Sequence, residues 1–417
     1  MTKQLLTDDR QAQPNHTTKP PAQQELSQQE LWEIRAVNTH CHNLLPHWFE
    51  DITLHRLLQM TYVSWIVPDA GDTPQGHRFY FDEMGANSYF RWWKQGVEAL
   101  HGGGETLTPE NWDAFDERVR QAYSSPGHNL SALREKCAYD AILLDDYMAP
   151  GSCHDSPELM RPVFRCDMFL CGYAPGKTDE NHNNAYDFFP AVPASLAEYE
   201  VMTEQAVARA VQNGAVGLKI AIAYERPLDF RPGTRAAAER AFGDSNASPE
   251  DIRAFGDHMM FFLAGVAAKL DVPIQIHTGL GGMDGSRAIG LQPLIHANPA
   301  TRFDLFHASY PWCADVLGLA HKYPNVYLDL CWLPLISTAR AQAFLREALE
   351  LVNAGRLLWG CDTWTCEESM GARLAAHRCI LDVLNGFIRE GILDHAQALA
   401  CARGILRENA ARLYKLF

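Results

Sequence analysis

The sequence lacks the features that mark secreted, membrane-spanning and disulfide-stabilised proteins. Its N-terminal stretch, MTKQLLTDDRQAQPNHTTKPPAQQ, has no apolar core of the kind that a signal peptide requires. The most apolar later stretch, MMFFLAGVAAKL, is too short to cross a bilayer. The 11 cysteines form no C-x-x-C pair, so we interpret them as reduced thiols. These absences predict a cytoplasmic protein that does not bind membranes.

An excess of positive charge is also missing. Lys and Arg number 36 against 51 Asp and Glu, which gives a formal net charge of −15. Such a surface does not attract the phosphates of nucleic acid or of an anionic membrane. A buried cationic site could still hold an anionic ligand, so we expect a small molecule rather than a nucleic acid as the partner.

Short apolar segments recur along the chain, and helix-like segments separate the later ones. The eight predicted strands are residues 36–42, 140–146, 163–169, 215–222, 272–278, 302–308, 325–331 and 357–363. Strands that alternate with helices pair in parallel, and eight such units close into a (β/α)₈ barrel, or TIM barrel. The sequence therefore predicts an α/β protein of this class.

Two parts of the chain do not follow the alternation. Residues 1–25 are rich in Gln, Thr, Pro and charge, which predicts a disordered tail and leaves residues 26–417 for the barrel. Between the first two strands, residues of about 43–135 are aromatic and helical in character. We interpret this segment as a helical insertion that packs over the mouth of the barrel.

The stretch VNTHCHNLLP, residues 37–46, is the first that indicates chemistry. His40 and His42 stand two positions apart at the end of a predicted strand, so their side chains share one face. Two neutral imidazoles on one face suit a metal ion. With 17 His in the chain, a chance pair is the alternative explanation.

The register of the other polar residues favours the metal. Five of the eight predicted strands carry a metal-competent or cationic residue in the strand or at its C-terminal end: His40 with His42, Lys219, His277, His307 and Asp362. Active sites of such barrels lie at that end, whereas buried parallel strands are otherwise nearly continuous in apolar residues. Each residue alone could be structural, for example a core histidine bonded to a carbonyl. Together they indicate a metal centre.

These residue types suit catalysis. Three or four nitrogen and oxygen ligands with an open position make a catalytic metal site rather than a closed structural one. A divalent ion there polarises a carbonyl and lowers the pKa of water to about 7. A nearby carboxylate can then accept the proton of the water and return it to the leaving group.

The chain resembles the amidohydrolase superfamily of metal-dependent (β/α)₈ barrels over residues 30–417. The closer similarity is to the amidohydrolase 2 branch, including the domain fused to a glutamine synthetase-like domain in plant nodulin-like and fungal developmental proteins. The segments that carry the resemblance are NTHCHNLL, SALREKCAYDAILLDD, VGLKIAIAYERPLDF, PIQIHTGLGGMDGSR, LFHASYPW, YPNVYLDL and GRLLWGCDTW.

The resemblance implies a ligand set. His40, His42 and His277 would bind the metal, and Asp362 would be both a ligand and the general base. Zinc is the expected ion, although such ligands also accept manganese or iron, and one ion is expected rather than two. Asn38 stands where many relatives carry Asp, and we do not expect it to bind the metal.

Two further roles stay open at this stage. His307 would be a second-metal ligand or an electrophile on the substrate. Lys219 occupies the strand-four position that is carboxylated in binuclear relatives, where it bridges two metals. With a single metal it would instead bind substrate as a plain ammonium.

Candidate substrate-binding residues follow strands four and five. Tyr224 and Arg226 come after strand four, and Arg287 comes after strand five. A guanidinium matches the geometry of a carboxylate, although a loop arginine can equally be a solvated charge. Trp312, Trp332 and Trp364 could wall the pocket or belong to the core.

The leading prediction is a metal-dependent hydrolase that cleaves a C–N bond of a small, carboxylated substrate. Decarboxylation or sugar-acid isomerisation at the same centre is the alternative, because fold and ligands alone do not separate these reactions. A non-catalytic binding scaffold is a third hypothesis, but every expected ligand is present. Homo-oligomers, dimers especially, are common among such barrels.

Overall fold

The computed structural model describes residues 24–417. The tail predicted for residues 1–25 therefore lies outside the described residues, except for its last two positions. The described chain contains eight strands in one sheet, ordered as in the sequence, and each pairs in parallel with the next. They are β1 (Ala36–Cys41), β2 (Tyr139–Leu144), β3 (Met160–Arg165), β4 (Gly217–Ile220), β5 (Ile274–Ile276), β6 (Phe303–Leu305), β7 (Val326–Asp329) and β8 (Leu357–Leu358).

Backbone hydrogen bonds between β1 and the segment after β8 close the sheet into a barrel. The N–H of Thr39 donates to the Trp359 carbonyl at 3.3 Å, and the N–H of Asp362 donates to the His40 carbonyl at 2.9 Å. The predicted (β/α)₈ barrel is thus confirmed. All eight strands lie within or beside the predicted segments.

The third strand begins and ends earlier than predicted. It runs over Met160–Arg165, and residues Asp167–Cys171 beyond it form a short helix instead. Met168, Phe169 and Leu170 are buried in that helix. A short apolar run predicts burial but does not distinguish a buried strand from a buried helix, which explains the error.

Eighteen α-helices accompany the strands in residues 24–417. They are α1 (Gln28–Glu33), α2 (Leu54–Gln59), α3 (Val63–Ile66), α4 (Pro74–Met84), α5 (Ser88–His101), α6 (Trp112–Tyr123), α7 (His128–Ser131), α8 (Asp167–Cys171), α9 (Leu196–Gln212), α10 (Arg235–Ala241), α11 (Pro249–Leu270), α12 (Gln292–Ala297), α13 (Cys313–Lys322), α14 (Leu333–Ile336), α15 (Thr338–Leu351), α16 (Cys366–Arg389), α17 (His395–Arg403) and α18 (Asn409–Tyr414). Over the described range, no helix combines the length and the apolar character that a bilayer crossing needs.

Helices α2–α7 form the insertion between β1 and β2. At the strand ends, the ring of Tyr62 lies 4.5 Å from that of Trp332 and 4.8 Å from that of Trp364. Trp332 follows β7 and Trp364 follows β8. The insertion therefore covers part of the barrel mouth with aromatic side chains.

Two glycines let the insertion pack directly against the barrel helix α16. A Cβ atom at Gly96 in α5 would overlap the carbonyl oxygen of Glu367, and a Cβ at Gly371 in α16 would overlap that of Trp92. The two helices thus touch backbone to backbone. Glycine is required at both positions for this close approach.

We predict that Gly96→Ala lowers the free energy of unfolding by about 1–3 kcal/mol, because the added methyl group forces α5 and α16 apart. Gly318→Ala in α13 is the matched control, since a Cβ there meets no atom within 4 Å. The control should be neutral or gain about 0.5–1 kcal/mol. Urea unfolding of both variants measures the difference, and equal stability of the two would contradict the packing described.

Candidate metal centre and active site

Asp362, in the segment after β8, lies among three histidines from other strands. Its Oδ1 is 3.2 Å from His42 Nε2 and 3.5 Å from His40 Nε2. Its Oδ2 is 3.7 Å from His307 Nε2. Asp362, His40 and His307 are buried, and His42 is partly buried. The structure thus brings together four predicted residues from β1, the end of β6 and the end of β8.

The backbone is strained where two of these residues are placed. His307 has φ of 62° and Asp362 has φ of 56°, in the left-handed region that residues other than glycine rarely adopt. Such conformations cost of order 1–3 kcal/mol each and are concentrated at functional sites.

Close contact between β1 and the segment after β8 sets the position of His40. A Cβ at Gly360 would lie 2.5 Å from Thr39 Oγ1 and 2.9 Å from the His40 nitrogen. Asn38 Oδ1 accepts the N–H of Cys361 at 2.8 Å. Asn38 therefore ties the two segments together.

Backbone carbonyls fix the tautomers of two histidines. His42 Nδ1 lies 2.9 Å from the Asp145 carbonyl oxygen, and His307 Nδ1 lies 3.0 Å from the Cys331 carbonyl oxygen. A carbonyl only accepts, so both Nδ1 atoms carry the proton. Each Nε2 is left with a lone pair, which is the state of a metal ligand.

His277 joins the centre through His307. Its Nε2 donates to the Leu280 carbonyl, which leaves Nδ1 unprotonated. That nitrogen faces His307 Nε2 at 3.0 Å. Two lone pairs at this distance repel each other unless a proton or a cation lies against them. The arrangement therefore fits a bound cation.

Burial sets the protonation states that metal binding needs. It lowers the pKa of His40 and His277 well below the ordinary histidine value and that of His307 to about 4. Neutral imidazoles beside an ionised carboxylate suit zinc, manganese or iron.

Lys219 in β4 reaches the same centre. Its Nζ lies 3.2 Å from His40 Nε2 and 4.2 Å from the centre of the Phe306 ring. The side chain is 1% exposed, and this burial lowers its pKa. Lys219 is thus the one predicted site residue that brings N–H donors to the histidine cluster.

Sequence reasoning missed a buried ion-pair network beside the centre. Arg165, at the end of β3, donates to Asp145 at 2.6 and 3.2 Å and to Asp167 at 3.2 Å. Asp145 follows β2, and its backbone carbonyl holds His42. Both residues are polar and stand at C-terminal strand ends, so the rule that found the histidines could have found them.

Tyr224 lies at the rim of the centre. Its ring is 4.7 Å from that of His277, and the residue is 43% exposed. Its phenol hydroxyl is protonated at neutral pH and can donate a hydrogen bond to a ligand.

The two arginines predicted to bind a carboxylate are occupied by other partners. Arg226 pairs with Asp257 of α11 at 2.5 Å, and its guanidinium lies 4.6 Å from the Phe230 ring, so the structure does not bring it to the centre. Arg287 pairs with Asp315 of α13 through two contacts of 3.0 Å. Asp315 thus occupies Nε and Nη2 of Arg287, whose side chain is 42% exposed.

Aromatic side chains wall the approach to the histidines. The rings of Tyr147 and Trp364 lie 5.1 and 5.8 Å from that of His42, and Trp332 lies 5.2 Å from His307. Trp65, which is 61% exposed, continues this wall to the surface. Trp332 and Trp364 thus belong to the mouth of the barrel.

Two sequence comparisons match this chain to known proteins. A family model described as Amidohydrolase matches residues 175–416, which include Lys219, His277, His307 and Asp362. Protein fluG of Emericella nidulans is 33% identical over 222 residues, which are 48% of this chain and 26% of that protein. The matched part thus spans about a quarter of the length of fluG.

Solved structures share the fold at low sequence identity. A Lactobacillus casei protein described as a metal-dependent hydrolase has a TM-score of 0.65 at 17% identity, covering 92% of this chain and 96% of that one. Glucuronate isomerase from Caulobacter crescentus has a TM-score of 0.71 at 16% identity, covering 93% and 92%. These likenesses show the barrel fold.

We predict that His42→Ala weakens the binding of one divalent ion at this centre by at least about tenfold, because one protein ligand of that ion is lost. The purified variant should therefore contain one ion fewer than wild type. His321→Ala in α13 is the control, since His321 is exposed and contacts only the Leu351 carbonyl. Elemental analysis gives the ion count, and circular dichroism checks the fold. An unchanged count in a folded His42→Ala protein would refute the assignment of His42.

Proposed function

The chain belongs to the amidohydrolase family, and from this premise we propose that it is a zinc-class metal-dependent hydrolase that cleaves a C–N bond of a small substrate. One observation carries the proposal: the buried Asp362 carboxylate lies within 3.2–3.7 Å of an Nε2 atom from each of three histidines. His40, His42, His277 and Asp362 would hold the ion.

Asp362 is the proposed general base. A divalent cation supplies Lewis acidity, which polarises a carbonyl and lowers the pKa of water. The Asp362 carboxylate is ionised and accepts the proton of the attacking water. It then returns that proton to the leaving nitrogen, so that an amine departs.

Lys219 is the proposed donor to the oxyanion. Its ammonium has N–H groups to give, whereas His307 bonds its only proton to the Cys331 carbonyl and presents a lone pair at Nε2. This difference supports His307 as a ligand or acceptor and Lys219 as the electrophile. In this assignment Lys219 acts as an ammonium group and is not carboxylated.

The mouth indicates the shape of the substrate. Trp65, Trp332 and Trp364 would contact an apolar or flat part of it, and Tyr224 would donate a hydrogen bond at the rim. Arg287 is the residue that would meet a substrate carboxylate, after release from Asp315. We thus propose a small amide whose acyl or amine part carries a carboxylate and an apolar group.

Isomerisation of a sugar acid is the second candidate. The glucuronate isomerase of Caulobacter crescentus shares the fold over 93% of this chain. Asp362 as a base and Lys219 as an acid could also move a proton between neighbouring carbons without consuming water. Decarboxylation would likewise leave water unused.

Oxygen-18 water separates these reactions. We predict that the metal-loaded protein, given a panel of N-acyl amino acids, places one label in the new carboxylate of the product. D-glucuronate should not be converted. Conversion of glucuronate to a ketose, or loss of carbon dioxide without label in the product, would favour the second candidate instead.

We predict that Asp362→Asn lowers kcat by about 10²–10⁴, because the base is lost while the shape of the site is kept. The wild-type protein treated with a chelator should lose activity and recover it when the ion is restored. A fully active Asp362→Asn protein, or full turnover without metal, would contradict the proposed mechanism.

A further inference from the structure

A second histidine and aspartate cluster lies in the insertion, on different elements from the centre around Asp362. His55 is in α2, Asp69 and Asp72 are in the loop before α4, and His77 is in α4. One ring nitrogen of His55, one of His77 and one carboxylate oxygen of Asp72 lie within 4.8 Å of one another. We call these four residues the insertion cluster.

Contacts within the insertion cluster are short. His77 Nε2 lies 2.7 Å from Asp72 Oδ1, and His55 Nε2 lies 3.0 Å from Asp69 Oδ1. The His77 ring stacks on Trp112 at 4.2 Å between centres and 16° between planes, which fixes its orientation. Each imidazole is thus oriented by its own carboxylate, and the two histidine–aspartate pairs lie next to each other.

Two features are not explained by histidine–aspartate pairing alone. His55 is 9% exposed, and its Nδ1 is buried without a hydrogen-bond partner in the described structure. In addition, no Lys or Arg in residues 24–417 lies within ion-pair distance of Asp69 or Asp72. The cluster therefore combines negative charge with imidazole nitrogens and has no cation of its own.

We propose that the insertion cluster is a second divalent-cation site of the zinc class, with His55, His77 and Asp72 as three ligands and a carboxylate oxygen of Asp69 as the fourth. Two imidazoles and carboxylate oxygens are a set that zinc accepts, and four protein ligands make a structural site rather than a catalytic one.

The position of the site gives it a structural role. It joins α2 to the start of α4 and so fastens both ends of the chain segment 55–77. That segment carries Tyr62 and Trp65, which pack over Trp332 and Trp364 at the mouth. A bound ion would hold this aromatic cover in place.

The test compares ion counts among folded variants after dialysis against zinc and then against buffer. We expect Asp72→Asn to bind one zinc fewer than wild type, with at least a tenfold weaker affinity at that site, since the exposed Asp72 can be replaced without disturbing packing. His55→Gln should lose the same ion. His42→Ala should keep it, which separates this site from the centre around Asp362.

Glu200→Gln is the matched control. Glu200 pairs with His258 at 2.6 Å but also with Arg235 at 2.8 Å, so that histidine–carboxylate pair already has a cation. The control should keep the wild-type count. Hydrogen exchange of segment 55–77 should slow when zinc is added to wild type and to the control, but not to Asp72→Asn. Wild-type ion counts in both Asp72→Asn and His55→Gln, or no ion in His42→Ala, would overturn the proposal.

Discussion

The contact between β1 and the segment after β8 is the constraint on which the site depends. Two parts of the sequence far apart along the chain meet there through the Thr39 and Asp362 backbone hydrogen bonds. Gly360 allows the approach because a side chain would collide with Thr39 and His40. This closure turns a sheet into a barrel and, in the same step, places the Asp362 carboxylate beside His40 and His42.

Much of this arrangement could be predicted from the sequence, because parallel strands put their C-terminal ends on one rim. Polar residues at the ends of otherwise apolar strands identified His40, His42, His277, His307 and Asp362. The same rule applies to Asp145 and Arg165. These two residues pair with each other between adjacent strands, and an arginine is not a metal ligand, so a search for ligands does not find them. Only the structure shows that the Asp145 backbone orients His42.

The substrate residues were harder to predict, because their partners come from elements packed behind the loops. Arg226 is held by Asp257 of α11 and Arg287 by Asp315 of α13, and neither helix is adjacent in sequence to the arginine it binds. The position of both arginines in loops after strands indicated that they could reach the site. It did not show that a carboxylate of the protein, Asp257 or Asp315, would pair with each of them. The tautomers of His42, His277 and His307 likewise depend on carbonyls that no sequence pattern reveals.

The central claim is that the imidazoles of His40 and His42, at the end of β1, and of His277, at the end of β5, share one cation with Asp362. Anomalous diffraction from crystals grown with zinc, recorded above and below the zinc edge, tests it most directly. The account predicts a peak bounded by His40, His42, His277 and Asp362. Density for these four side chains with no anomalous peak between them, in protein that is catalytically active, would contradict it.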